Sequence, residues 1–270
     1  MFVEFSDRNA YGIKGYTAAT YGDSFADVYD DWYSDLDDQD FVASIVRDLP
    51  PHPARILELG VGTGRLVQQL IDLRSGTTDS IVGVDSSQAM LDKASERNFS
   101  EYVNLSVADF AQSLPNGTFD VIFIGYNTLF NLPDESAVRA CMQLVVERLA
   151  ENGHFYFDVV RPVGNDNLVH RSIRSSSAND VVLSVSQHHP TMQRITGQFI
   201  HFMRSNGVRI RPYSVKYFSP DQLDNMAHDC GLRLVARTED GDGTLFTVDS
   251  ARHISKYAKS SISPSILKAP

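Results

Sequence analysis

The decapeptide Arg55-Ile56-Leu57-Glu58-Leu59-Gly60-Val61-Gly62-Thr63-Gly64 sets three glycines at alternate positions between an apolar run and the helical pattern GRLVQQLIDL of residues 64–73. A short apolar run closed by glycine predicts a buried strand, and strand, turn and helix in that order are what a nucleotide-binding turn requires. Glycine tolerates positive φ there and lets the backbone pass close to a ligand. A dinucleotide turn has the spacing G-x-G-x-x-G. Here the third glycine comes one position early and Arg65 stands where it is due. The spacing therefore argues against a pyrophosphate.

Outward from this turn the same alternation repeats. SIVGVD (80–85), YVNLSV (102–107), FDVIFIG (119–125) and HFYFDVV (154–160) read as strands, with helical patterns at SQAMLDKASERN (87–98) and DESAVRACMQLVVERLAENG (134–153). Glu151, Asn152 and Gly153 predict the stop of the latter helix. The fold class expected is α/β, a doubly wound, Rossmann-like and mostly parallel sheet. Past Arg161 the texture changes to VVLSVSQ, QRITGQFIHFMR and VRIRPYSVKYF, which predicts an antiparallel flap inserted after the fifth strand. A helix at SPDQLDNMAHDCG, with Pro220 in its first turn and Gly231 beyond its end, then leads two strands back to the sheet edge. The segments expected are an N-terminal helical lid (1–40), a cofactor-binding core (41–160), the flap (161–218), the return to the core (219–257) and a disordered tail (258–270).

Composition bounds the class of function. At 270 residues, 42% hydrophobic and 21% charged, the chain has apolar mass for a large core, which excludes global disorder and a disulfide-stapled module. The formal net charge of −10, without a basic patch, argues against nucleic acid and anionic membranes as partners. Cys141 and Cys230 sit in apolar helical patterns and read as buried hydrophobes of a reducing compartment; with no apolar leader behind Met1, a cytoplasmic location is expected. No H-x-x-H or C-x-x-C spacing calls for a metal.

Two acids complete the pattern. Asp85 ends the second strand, 21 residues beyond Gly64, where a carboxylate can accept from both hydroxyls of a ribose. Asp109 follows the third strand, where it can accept from an adenine amino group while Phe110 lies along the ring; as a lone residue it could equally cap a turn. With E-x-G-x-G-x-G at 58–64 and these acids, the chain resembles the class I S-adenosylmethionine-dependent methyltransferases from about Tyr21 to Tyr257. The resemblance implies S-adenosyl-L-methionine as cofactor. It places Gly60 and Gly62 at the methionine part, Asp85 at the ribose, Asp109 and Phe110 at the adenine and Glu58 behind the loop or at the amino group, with Ser86 and Gly125 in the same set. TYGDSFADVYDDWY (20–33) is similar to the lid of small-molecule methyltransferases of natural-product pathways, most like the aminosugar N-methyltransferases. Their Y-x7-Y-D arrangement maps onto Tyr21 and Tyr29, which implies Tyr29 at the cofactor and Tyr21 at the acceptor. The chain departs from that group with Asp85 in place of Glu and Asn131 in place of a histidine.

The expected partner is thus a small-molecule acceptor, with homo-oligomerisation left open. Tyr126 and Asn127, after the fourth strand, and Tyr33 of the lid are the acceptor-facing candidates, although Asn127 could instead cap the following turn. A neutral amine needs no strong base, whereas an alcohol or phenol benefits from one. His170, His201 and His253 are the pocket candidates for that role. His52 and His154 precede strands and fall at the wrong end of the sheet, and His188, His189 and His228 read as solvated or capping residues. Transfer to nitrogen, driven by alignment, is the leading expectation, and transfer to oxygen with a histidine base is the runner-up. Outside that class stand an NAD-dependent oxidoreductase, disfavoured by the glycine spacing, and a non-catalytic cofactor-binding protein. Nucleic-acid or protein methylation is disfavoured by charge and by GYNT (125–128) where such enzymes carry N/D-P-P-Y/F.

Overall fold

Ile56 on one side and Leu57 and Leu59 on the other put apolar side chains on both faces of the strand β1 (Arg55–Leu59), and a strand of that kind is stable only where both faces are covered. In the computed structural model, which describes residues 9–36, 38–51, 53–162 and 168–260, β1 lies inside a seven-stranded sheet with Ile56, Leu57 and Leu59 fully buried. Its parallel neighbours are β2 (Ser80–Asp85) and β4 (Phe119–Ile124). β3 (Val103–Val107) closes the edge beyond β2, and β5 (Leu149–Val160) extends the parallel set beyond β4. The antiparallel β11 (Arg252–Lys259) and β10 (Leu232–Thr238) complete the order β10-β11-β5-β4-β1-β2-β3.

Alternation along the strands assigns residues to two layers. Leu57, Leu59, Ile122, Ile124, Phe155 and Phe157 face α6 (Glu135–Arg148) and α7 (Pro220–Asp229). Ile56, Val121, Phe123, Tyr156 and Ile254 face α3 (Gln39–Val46) and α4 (Arg65–Leu73). Local sequence starts these helices. Asp134 accepts from Ala137 N at 3.0 Å, and Ser219 and Gln222 form a reciprocal capping box with Pro220 in the first turn. α5 (Gln88–Ser95) is capped by Ser87, whose hydroxyl accepts from Met90 N at 3.2 Å.

The flap is a separate antiparallel sheet of four strands in sequence order: β6 (Val169–Ser176), β7 (Asp180–His189), β8 (Arg194–Met203) and β9 (Gly207–Lys216). β6 is one strand more than the sequence pattern suggests, because VHRSIRSS is exposed at every position and carries no alternation. Residues 149–153 also differ from expectation: α6 stops at Arg148, and Leu149 already pairs with Phe119 across an irregularity that brings His154 opposite Val121. α1 (Thr20–Phe25) and α2 (Tyr29–Trp32) pack where flap and core meet. The expected lid-core boundary at residue 40 falls inside α3, and β11 continues to Lys259, past the expected end of the core at 257. His52 and residues 261–270 of the expected tail lie outside the described residues. Among the described residues no helix is long and apolar enough to cross a membrane.

The layering is measurable. Leu57→Ala, at a fully buried position, should cost about 2–5 kcal/mol by transfer and cavity terms. Leu73→Ala, at a residue 50% exposed on α4, should stay within about 0.5 kcal/mol. Urea midpoints of the two variants check the contrast, and equal losses would contradict the assigned layers.

Candidate functional site

At the carboxyl ends of β1 and β4 the chain leaves the sheet in turns that ordinary residues rarely adopt. Gly60 and Gly62 have φ of 74° and 55°, and Tyr126 and Asn127, after β4, have φ of 46° and 61°. Left-handed non-glycine residues in succession are uncommon and are retained where surrounding structure over-determines them. Here that structure is β5: Asn127 N donates to the Asp158 carbonyl at 2.8 Å, and Asn127 Oδ1 accepts from Val160 N at 3.2 Å.

Two cavities open at this end of the sheet. The narrower, about 70 Å³, runs along Gly60, Gly62, Asp85, Ser86, Asp109 and Phe110. The roomier, about 360 Å³, runs along Tyr33, Tyr126, Asn127, Asp158, Phe199 and Arg252. Tyr21, Tyr29, Thr128 and Asn131 belong to both linings, so the two cavities meet at the lid tyrosines and the short turn Thr128–Asn131.

The narrow cavity brings together Gly60, Gly62, Asp85, Ser86, Asp109, Phe110 and Tyr29 of the expected cofactor set. A Cβ on Gly62 would enter open space, so the cradle is free at that point, whereas a Cβ on Gly60 would collide with Thr128 Cγ2. Asp85 accepts from Gly62 N and Ser87 N, both at 2.9 Å. Burial lifts its carboxyl above the ordinary range against those two donors. Asp109 does double duty: it lines the cavity, and its carboxylate also accepts from Ala111 N at 2.9 Å and Gln112 Nε2 at 2.8 Å, the turn-capping role. Phe110 is buried beside it. Glu58 lies beneath the loop rather than in the lining. Burial pushes its carboxyl well up against the pull of Arg65, and its Oε2 is buried without a hydrogen-bond partner. Such an orphaned acceptor suits a cationic group. Ser86 turns its hydroxyl to the lid, donating to Ala18 O at 2.9 Å. Gly125 lines neither cavity; its missing side chain makes room for Leu66 and Phe41, which a Cβ would meet.

The lid is tied down over this seam. Ser87 Oγ donates to Asp23 at 2.6 Å, Thr63 Oγ1 to Asp30 at 2.5 Å and Arg97 Nη2 to Asp30 at 2.8 Å. The hydroxyls of Tyr21 and Tyr33 lie 3.4 Å apart, and the Tyr21 ring stacks on Phe25 at 4.5 Å. Burial raises the Tyr21 and Tyr29 phenols far above their usual range, and Tyr126 to about 12, so all three stay protonated at neutral pH.

The three candidate histidines lie away from both cavities. His170 sits exposed on β6. His201 is buried against Trp32, 5.5 Å between ring centroids, with Asp180 3.8 Å away. His253 is buried on the α6–α7 side of β11, paired with Ser255 Oγ at 2.9 Å, and burial lowers it to about 3. His188 and His189 are buried rather than solvated, and His188 Nε2 meets the Tyr217 hydroxyl at 2.7 Å. Cys141 and Cys230 are buried and free. Sequence reading did not single out Asp158, Arg252, Thr128, Phe199 and Tyr213. Only Asp158 carried a signal, an acid near the carboxyl end of a strand like Asp85.

Known proteins resemble this chain in sequence and fold. Residues 56–153 match a methyltransferase domain family. The chain is 31% identical to the CcbJ methyltransferase of Streptomyces caelestis, with TM-score 0.82, covering 91% of this chain and 100% of that one. It is 29% identical over 158 residues to a methyltransferase of Geobacillus sp. (strain WCH70), and 24% identical over 160 residues to the cypemycin N-terminal methyltransferase of a Streptomyces species. Those two matches take in 57% and 53% of this chain and span 59% and 64% of the relatives' own lengths. With the glycine turn, the acids after β2 and β3 and a structural match above 30% identity over 91% of its length, the chain belongs to the class I S-adenosylmethionine-dependent methyltransferase family.

Proposed function

We propose that this chain transfers a methyl group from S-adenosyl-L-methionine to a nitrogen of a small-molecule acceptor, by alignment rather than by proton abstraction. The observation that carries the reading is the shared seam. One cavity suits the cofactor and the other is enclosed by aromatic rings, and they touch at Tyr21, Tyr29, Thr128 and Asn131, with no histidine in either lining among the described residues. When bound, the cofactor would supply a methyl activated by its sulfonium: the acceptor's lone pair would bond to that carbon in line as the carbon–sulfur bond breaks and S-adenosylhomocysteine leaves. Asp85 would hold the ribose hydroxyls, Phe110 would pack along the adenine, and Glu58, buried outside the lining with its carboxyl pushed toward the neutral form, would support the glycine loop from behind. Tyr21 and Tyr29, protonated and held by the lid, would orient the acceptor and exclude water. A nitrogen lone pair needs no base once its proton has left, whereas an oxygen acceptor would require one that the candidate histidines do not provide. The name of the cypemycin relative is consistent with nitrogen as target.

Calorimetry checks the cofactor half of this reading: S-adenosyl-L-methionine should bind and NAD should not. Asp85→Ala should weaken that binding by about 1.5–3 kcal/mol. Gly62→Ala should also block it, at a folding cost of about 1–2 kcal/mol for a side chain in the left-handed region. Unchanged affinity in both variants would remove the site.

The acceptor half is tested by screening amines and phenols for S-adenosylhomocysteine formation. Above neutral pH the rate on an amine should rise as the substrate loses its proton and then level off, with an apparent pKa that follows the amine when substrates are exchanged. A single pKa imposed on every substrate, or turnover of phenols alone, would move the assignment to oxygen.

A further inference from the structure

Two charged side chains line the larger cavity, Asp158 from β5 and Arg252 from β11, and among the described residues of that lining they are the only ones. They share the α3–α4 side of the sheet, one register step apart, since Ile254 is the partner of Asp158. Arg252 donates to the carboxylate through Nε at 3.2 Å and Nη2 at 2.8 Å. The pair is lopsided. The Asp158 side chain is 5% exposed, while that of Arg252 is 37% exposed.

The remaining lining decides which charge a ligand brings. Six rings face the space, those of Tyr21, Tyr29, Tyr33, Tyr126, Phe199 and Tyr213. Aromatic faces attract cations and repel anions. A ligand can take over one member of an ion pair only if the displaced member has somewhere to go. Arg252 can turn its guanidinium into water at little cost, whereas Asp158 cannot leave, because its backbone is held in the sheet and by Asn127.

We infer that Asp158 is the anchor that admits the acceptor in its ammonium form: its carboxylate accepts an N–H of the cationic amine as Arg252 swings out, the cavity thereby selects amines over alcohols of the same shape, and the nitrogen sheds its proton to water before its lone pair takes the methyl. The inference rests on the nitrogen reading above and adds the residue that recognises the amine. It also accounts for an otherwise costly feature. Burial lifts the Asp158 carboxyl to about 6 even beside Arg252, so the ionised form is a burden on the fold rather than a support, as is common for groups kept for function.

The test uses the whole protein saturated with S-adenosylhomocysteine and two probes of one shape, cyclohexylamine and cyclohexanol, followed by calorimetry or ligand-observed NMR. At about pH 8 the wild type should bind the amine at least about 10-fold more tightly than the alcohol. Asp158→Asn should abolish the preference, Asp158→Glu should keep part of it, and both should bind S-adenosylhomocysteine within about twofold of wild type. A wild-type titration decides the matter even if Asp158→Asn does not fold. The preference should fade as pH falls through about 6, the range in which Asp158 takes up its proton. The amine, resembling a lysine side chain, stays charged throughout. The other groups facing Asp158 are Arg252, the Tyr126 backbone and Asp38, which is bonded to Arg65. No preference in the wild type, a preference that survives Asp158→Asn, or one that is flat from about pH 8 to 5 would overturn the anchor. The two readings fail separately. Methylation of amines by a cavity without this preference removes the anchor alone, whereas an Asp158-dependent preference without methylation of any amine removes nitrogen transfer and leaves the anchor standing.

Discussion

Three backbone N–H groups of the glycine turn converge on the last two residues of β2. Gly60 N and Val61 N donate to the Val84 carbonyl at 2.8 and 2.9 Å, and Gly62 N donates to the Asp85 carboxylate at 2.9 Å. This clamp ties β1 to β2 where both strands end, and buried N–H groups in a left-handed turn have no other partner available. Asp85 therefore serves the fold before it meets any ligand, and its second oxygen braces Ser87, the cap of α5. The wall of the narrow cavity and the platform on which the lid rests come from a single carboxylate.

The lid is held from two directions. On the core side, Ser86 and Ser87 hold the backbone at Ala18 and the carboxylate of Asp23. On the flap side, Arg211 is almost fully buried and donates to both oxygens of Asp27, at 2.6 and 3.0 Å, and to the Ser24 carbonyl. A buried guanidinium without such partners would be strongly unfavourable, so flap and lid are coupled in stability. Arg174 of β6 adds to this, donating to the Trp32 carbonyl at 2.6 Å with its guanidinium about 5 Å from the rings of Trp32, Tyr33 and Phe199. A polar, fully exposed edge strand thus holds the arginine that packs over the lid aromatics.

Strand parity explains how the site's charges are shared out. Ile56 and Glu58, Tyr156 and Asp158, Arg252 and Ile254 lie in step on the α3–α4 side of the sheet, while His253 alternates to the other side. Residues toward the middle of this layer are apolar and fill the core. Those one step closer to the carboxyl ends are charged and meet the cavities or the ground beneath them. A single register thus separates a buried, neutral histidine from an arginine that can reach a ligand.

The doubly wound core was legible in the primary structure because its signals are local. An apolar run, alternating glycines and acids at the ends of strands occupy fixed sequence distances, and Pro220, Ser219 and Asp134 mark helix starts by their own side-chain chemistry. The wall of Gly60, Gly62, Asp85, Asp109 and Phe110 followed from the same locality, since one edge of one sheet brings those turns together. The acceptor side was not legible in this way. Asp158 and Arg252 are 94 positions apart, and only the antiparallel return of β11 beside β5 makes them neighbours. Phe199 and Tyr213 reach the cavity because the flap folds back over the lid, and a strand pattern is silent about which face it will turn inward. The histidines point the same way. Chemistry alone made His253 a candidate base, and its position on the far side of β11 took it out of the cavity, because side-chain alternation is fixed by sheet register and not by residue type.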